Sequence, residues 1–159
     1  MAVSFCLMSL VLVGCGNQVV SLDGFETAYG QALEQGRPDE LYDMLDSGSR
    51  RRIDKMLDTI RGFDKRAQDV VLQQLGAVKT SKMEDMSPQA FFGLWWNAIL
   101  GGKRPTVKIQ RPESGATSTW MSLTMDGRNQ RLRLIQESGR WVWQLPQESQ
   151  TSAGPNLSP

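Results

Sequence analysis

The hydrophobic period of this chain changes near Gly101, and that change constrains the fold more than any other feature. Before it, apolar residues recur every three or four positions, as on one face of a helix; after it they recur every second position, as on one face of a strand. Helices followed by a small sheet make an α+β domain. Asp23 is placed to cap a helix whose apolar face carries Phe25, Ala28, Tyr29, Ala32 and Leu33, and Gly36 closes it. Pro38 opens a second turn with Leu41, Met44 and Leu45. Ser49 is the expected N-cap of a helix running to about Phe63 with Ile53, Met56, Leu57 and Ile60, and Ala67, Val70, Val71 and Leu75 continue the pattern to Gly76. Ser87 and Pro88 read as N-cap and first residue of a last helix, with Phe91, Phe92, Leu94, Trp95, Trp96, Ile99 and Leu100. It is apolar on nearly every side, which predicts burial between other elements. Thr106–Gln110, Thr117–Met125, Gln130–Ile135 and Arg140–Leu145 then alternate, separated by turns that include Asp126-Gly127 and Ser138-Gly139. Four short strands on tight turns predict an antiparallel meander.

The chain opens on an uncharged apolar run that ends in Leu12, Val13, Gly14 and Cys15, and its first charge is Asp23. Residues 2–13 are too few to cross a hydrocarbon core, which needs roughly 20 apolar residues as a helix. The run resembles the signal peptide and lipobox of bacterial lipoprotein precursors. That resemblance implies a diacylglyceryl thioether on Cys15, cleavage between Gly14 and Cys15, and acylation of the new amino group. Cys6 makes a poor acceptor, because Phe5 precedes it where a small residue is required. Signal peptides usually open with lysine or arginine, which this run lacks; a start upstream of Met1 would account for it. The ordinary alternative is a buried N-terminal helix that happens to hold a cysteine.

On this reading residues 1–14 are a signal peptide, 15–22 an anchor and tether, 23–146 a single α+β domain and 147–159 a disordered tail poor in large apolar groups. The tether, Gly16 to Leu22, spans at most ~25 Å, so the domain is expected to ride close to the lipid. In a Gram-negative cell Gly16 is compatible with the periplasmic face of the outer membrane.

Composition excludes more than it assigns. No histidine occurs in the chain, which removes imidazole-based triads, histidine-ligated zinc and haem, and the zincin motif. Cleavage before Cys15 would discard Cys6 and commit Cys15 to lipid, leaving no free thiol and no disulfide. No cofactor or metal is expected. With 18 basic and 17 acidic residues, the net charge of +1 exerts no general pull toward nucleic acid.

Helices first, then a meander ending in Gly139, Arg140, Trp141, Val142 and Trp143, together with the segment LEQGRPDELYDML, resemble the NTF2-like superfamily as found in bacterial envelope lipoproteins. The resemblance covers Asp23 to Pro146 and implies a curved sheet wrapped around the helices, with a cone-shaped pocket between them. The helical half is longer than a minimal member needs, which a different α+β arrangement would also produce. Isomerases of that superfamily use an aspartate base and a tyrosine donor. This chain has only Tyr29 and Tyr42, both in the first helical region, and no aspartate on an inward strand position, so an enzyme is not expected.

Two groups of residues are candidate sites. Trp141 and Trp143 share one face of the last strand and Trp120 lies on another strand, so three indoles could wall a pocket for an apolar ligand. Filling the core beneath the sheet is their more ordinary use. Trp95 and Trp96 are adjacent on a helix and cannot face one way. Arg128, Arg131, Arg133 and Arg140 cluster around one hairpin with only Asp126 and Glu137 beside them, an anionic-ligand surface for lipid or glycan. Arg50, Arg51, Arg52 and Lys55, balanced by Asp46, Asp54 and Asp58, read as a solvated helix face. The function expected from these features is a non-catalytic small-ligand module on a lipid-anchored envelope lipoprotein. The alternative is a protein-interaction or assembly module at the membrane surface.

Overall fold

The computed structural model describes residues 21–77, 82–125 and 127–146. The anchor residues Gly14 and Cys15, the turn residue Asp126 and the tail 147–159 lie outside them.

Among the described residues, five helices precede the sheet. Helix α1, Leu22–Glu34, starts two residues earlier than Asp23 suggested: the Ser21 hydroxyl accepts the Gly24 N–H at 3.0 Å. Serine and aspartate cap equally well, and starting at Ser21 brings Leu22 into the helix against the core. Gly36, at φ +63°, ends it, because the Arg37 and Gly36 N–H groups reach back to Ala32 and Leu33. Helix α2, Pro38–Asp43, opens on proline as expected.

Helix α3, Ser47–Arg61, is capped by Asp46 rather than Ser49. Asp46 Oδ1 accepts the Ser49 N–H at 2.9 Å, and the Ser49 hydroxyl is used elsewhere. Its pattern does not run on through residue 76. Gly62 closes α3 and Asp64, accepting the Ala67 N–H at 2.9 Å, opens a separate helix α4, Lys65–Gln74. The buried residues of α4 are Gln68 and Leu72, while Val70 is 47% exposed. Gln68 Nε2 donates to the Arg61 and Phe63 carbonyls, so a polar side chain carries the joint between the two helices.

Helix α5, Pro88–Leu100, has Ser87 as N-cap and Pro88 in its first turn. It buries Phe91, Phe92, Gly93 and Trp96, but Asn97, Ala98 and Ile99 face solvent, so it is not enclosed as its composition suggested. A Cβ on Gly93 would lie 3.2 Å from Pro38 Cγ, and the missing side chain lets α2 and α5 approach closely.

The sheet is the expected antiparallel meander: β1 Thr106–Ile109, β2 Ser118–Met125, β3 Arg128–Glu137 and β4 Arg140–Trp143, in that order. It curls into a half-barrel against the helices, an α+β arrangement consistent with a cone-like NTF2-like fold. Strand β3 is longer than its apolar alternation, because ladder pairing continues from Arg128 opposite Met125 to Glu137 opposite Arg140. Ser138 and Gly139, both at positive φ, turn β3 into β4 in two residues. The free edge of β4 is closed by the α2–α3 connection: Trp143 N donates to Met44 O at 3.0 Å and Asp46 N to Trp143 O at 2.9 Å.

Candidate functional site

Pairing register assigns each strand residue to a face. Ile109 faces Met121, Met121 faces Leu132 and Leu134 faces Trp143, and these buried residues define the inner face toward the helices. Trp141 and Trp143 belong to it, at 6% and 0% exposure. Trp120 does not. It stands between buried Thr119 and Met121, so its ring projects from the outer face, opposite Arg133 in register. The structure therefore brings two of the three expected indoles together and separates the third, which packs beneath the Arg131 guanidinium at 4.8 Å from its centroid.

The inner face meets the helices in an aromatic cluster centred on Trp143. Its ring packs edge-on to Tyr29 (5.7 Å between centroids), Trp96 (5.4 Å) and Phe92 (6.2 Å), and its Nε1 donates to Leu41 O at 3.0 Å. Phe25 stacks on Tyr29, and Phe92 on Trp96. Of the adjacent pair on α5, Trp96 is buried and Trp95 half-buried.

Two polar atoms in this cluster have no hydrogen-bond partner among the described residues: the Tyr29 hydroxyl and Trp96 Nε1, both shielded from solvent. Buried phenols and indoles normally find a partner, and leaving one without costs about 1–3 kcal/mol. Burial raises the Tyr29 pKa far above its ordinary value, so the hydroxyl stays protonated. The pair offers one neutral group that can donate and accept and one that can only donate, in otherwise aromatic surroundings. Sequence reading placed Tyr29 on the core face of its helix without asking where its hydroxyl would go; that question was the available signal.

The arginines divide as well. Arg131 and Arg133 are exposed on the outer face, opposite Leu132 at 2% and Leu134 at 0% exposure, as the alternation predicted. Arg140 is on the outer face of β4, but Arg128 has the parity of the inner residues and is exposed at the hairpin tip, so the four do not share a surface. Lys108, which sequence reading did not single out, joins them through the row Lys108, Ser122, Arg131. The Glu137 carboxylate accepts from Ser47 N at 3.0 Å and Ser47 Oγ at 2.5 Å.

The basic run at residues 50–52 is not a solvated face. Arg50 donates to the Leu45 and Asp43 carbonyls, and Arg52 to those of Leu145 (2.6 Å) and Pro146 (3.0 Å); of the three arginines only Arg51 is exposed. Arg52 also meets the Ser49 hydroxyl, which accepts the Leu145 N–H at 2.9 Å. Burial would raise the Asp46 pKa, but hydrogen bonds from Ser49 and Gln144 and the charge of Arg52 outweigh it and hold the carboxyl below its ordinary value. The run fastens α3 to the end of β4.

Among the described residues no cluster of three His, Cys, Asp or Glu could hold a metal, and no helix is long and apolar enough to cross a membrane. The chain matches no protein-family model, no curated protein and no solved structure.

Proposed function

We propose that this protein is a lipid-anchored lipoprotein of the bacterial cell envelope, fixed through Cys15, whose domain holds a neutral small molecule inside the half-barrel without transforming it. The observation that carries the ligand reading is the unpartnered pair, Tyr29 OH and Trp96 Nε1, on two rings that both pack against Trp143. A neutral molecule with an apolar body and a carbonyl, ether or hydroxyl oxygen would satisfy both groups. A charged one would lose its hydration in an aromatic interior that offers no opposite charge.

The test is native mass spectrometry of the chain isolated gently from its host's envelope. The expected result is a stoichiometric non-covalent mass that is released on denaturation and missing from Tyr29→Phe. A wild-type chain carrying no extra mass, or a Tyr29→Phe chain that keeps it, would sink the ligand reading. The anchor is tested separately: Cys15→Ala should abolish fatty-acid labelling and leave an uncleaved precursor, whereas a cleaved soluble product would mean ordinary secretion.

A further inference from the structure

The outer face of the sheet has a composition that the interior site does not use. Lys108, Arg131 and Arg133 are exposed on three neighbouring positions of β1 and β3, with Ser122 and Trp120 of β2 between them. Adjacent strands run about 4.8 Å apart, so the three charges fall within one small patch. Among the described residues the one carboxylate on the outer face of these strands is Glu137, which is bonded to Ser47. The half-buried Trp120 ring lies flat enough under Arg131 for a cation–π contact, joining an apolar ring to a charged group on one surface.

Helix α1 begins beside the chain that leaves β1. Asp23 and Glu26, in the first turns of α1, both pair with Arg111. Arg111 follows Gln110, whose N–H donates to the Trp120 carbonyl at 2.9 Å. Residues 15–20, which separate Cys15 from Ser21, reach no further than ~21 Å when extended. A lipid on Cys15 would hold the bilayer within that distance of the start of α1.

We propose that this face, with Trp120, Lys108, Arg131 and Arg133, seats the domain on an anionic phospholipid surface. Cations close to such a surface each strengthen binding about fivefold, and tryptophan settles at headgroup level. The proposal rests on the anchor reading for the bilayer's proximity but not for the contact itself.

The experiment uses the full-length, unlipidated Cys15→Ala chain and vesicles of phosphatidylcholine alone or mixed with phosphatidylglycerol. The apolar N-terminal run contributes to partitioning on both, so the difference between them isolates charge. Stronger partitioning onto the mixed vesicles is expected, weakening as salt rises. Arg131→Gln with Arg133→Gln should lower it about 25-fold while leaving the thermal midpoint and the partitioning onto phosphatidylcholine unchanged. Fluorescence quenching by brominated anionic lipid should fall in Trp120→Phe. Equal partitioning of the wild-type face onto both vesicles, or an unaffected double variant, overturns the proposal, including where an acidic protein binds these arginines instead. Because the chain carries no lipid, a failed fatty-acid labelling result leaves this outcome readable.

Discussion

At the scale of single residues, the informative side chains are polar ones that tertiary contacts have claimed. Asp46 caps α3, receives Gln144 from beyond β4 and lies under the charge of Arg52, so its carboxyl ionises more readily than usual. A carboxyl with a lowered folded pKa adds stability that is fully present above its unfolded value, near 3.8, and disappears as pH falls through the folded one. The thermal midpoint of the wild type should therefore drop as the solution is acidified below that value. Asp46→Asn, which keeps a cap but not the charge, should flatten the drop, and Asp46→Ala should cost about 1–2 kcal/mol in denaturant melts at neutral pH. A parallel acid limb in Asp46→Asn would show that other carboxyls dominate. Tyr29 predicts the opposite sign. Its hydroxyl has no partner among the described residues, so Tyr29→Phe should stabilise the chain by about 1–3 kcal/mol and, on the proposed function, abolish retention of the ligand. Loss of stability in that variant would mean that the hydroxyl is already satisfied.

Among elements, the close approach of α2 and α5 depends on an absent side chain. Gly93 faces the Pro38 ring, so Gly93→Val must push the two helices apart, at a cost of about 1–3 kcal/mol measurable by urea unfolding. An unchanged midpoint would mean that Pro38 moves aside freely. Helix starts were legible wherever the capping residue was followed by proline, as at Ser87-Pro88, and less so where several candidates stood together, as at Ser21 and Asp23 or Asp46 and Ser49. Such choices depend on which hydroxyl or carboxylate is needed by a distant strand. Helix α4 misled for a related reason: the pattern was expected to continue from α3 with Val70 on its apolar face, whereas Val70 is exposed and the polar Gln68 is buried at a joint between the two helices. With little apolar surface of its own in the core, α4 should exchange its amide hydrogens well before α5 in native-state exchange, and equal protection would show that the two unfold together.

For the whole molecule, α1, α5 and β4 converge on Trp143, which is fully buried and reaches back to Leu41 across more than a hundred residues of sequence. Trp143→Ala should cost about 3–5 kcal/mol, a large share of the 5–15 kcal/mol that typically holds such a domain, and should appear as a marked fall in the denaturation midpoint. Tyr29→Phe leaves this packing in place and is therefore the cleaner probe of the interior. The sequence by itself determined the class of the fold, the order of its strands and the exposure of Arg131 and Arg133, because hydrophobic period and turn residues act locally. Tertiary structure alone decided that Trp120 looks outward while Trp141 and Trp143 look inward, since that depends on strand register. It also decided that Arg50 and Arg52 bind carbonyls rather than water, and that Tyr29 and Trp96 bring unpartnered polar atoms into one aromatic cluster. Such outcomes depend on which distant groups meet, and no local pattern in the chain encodes that.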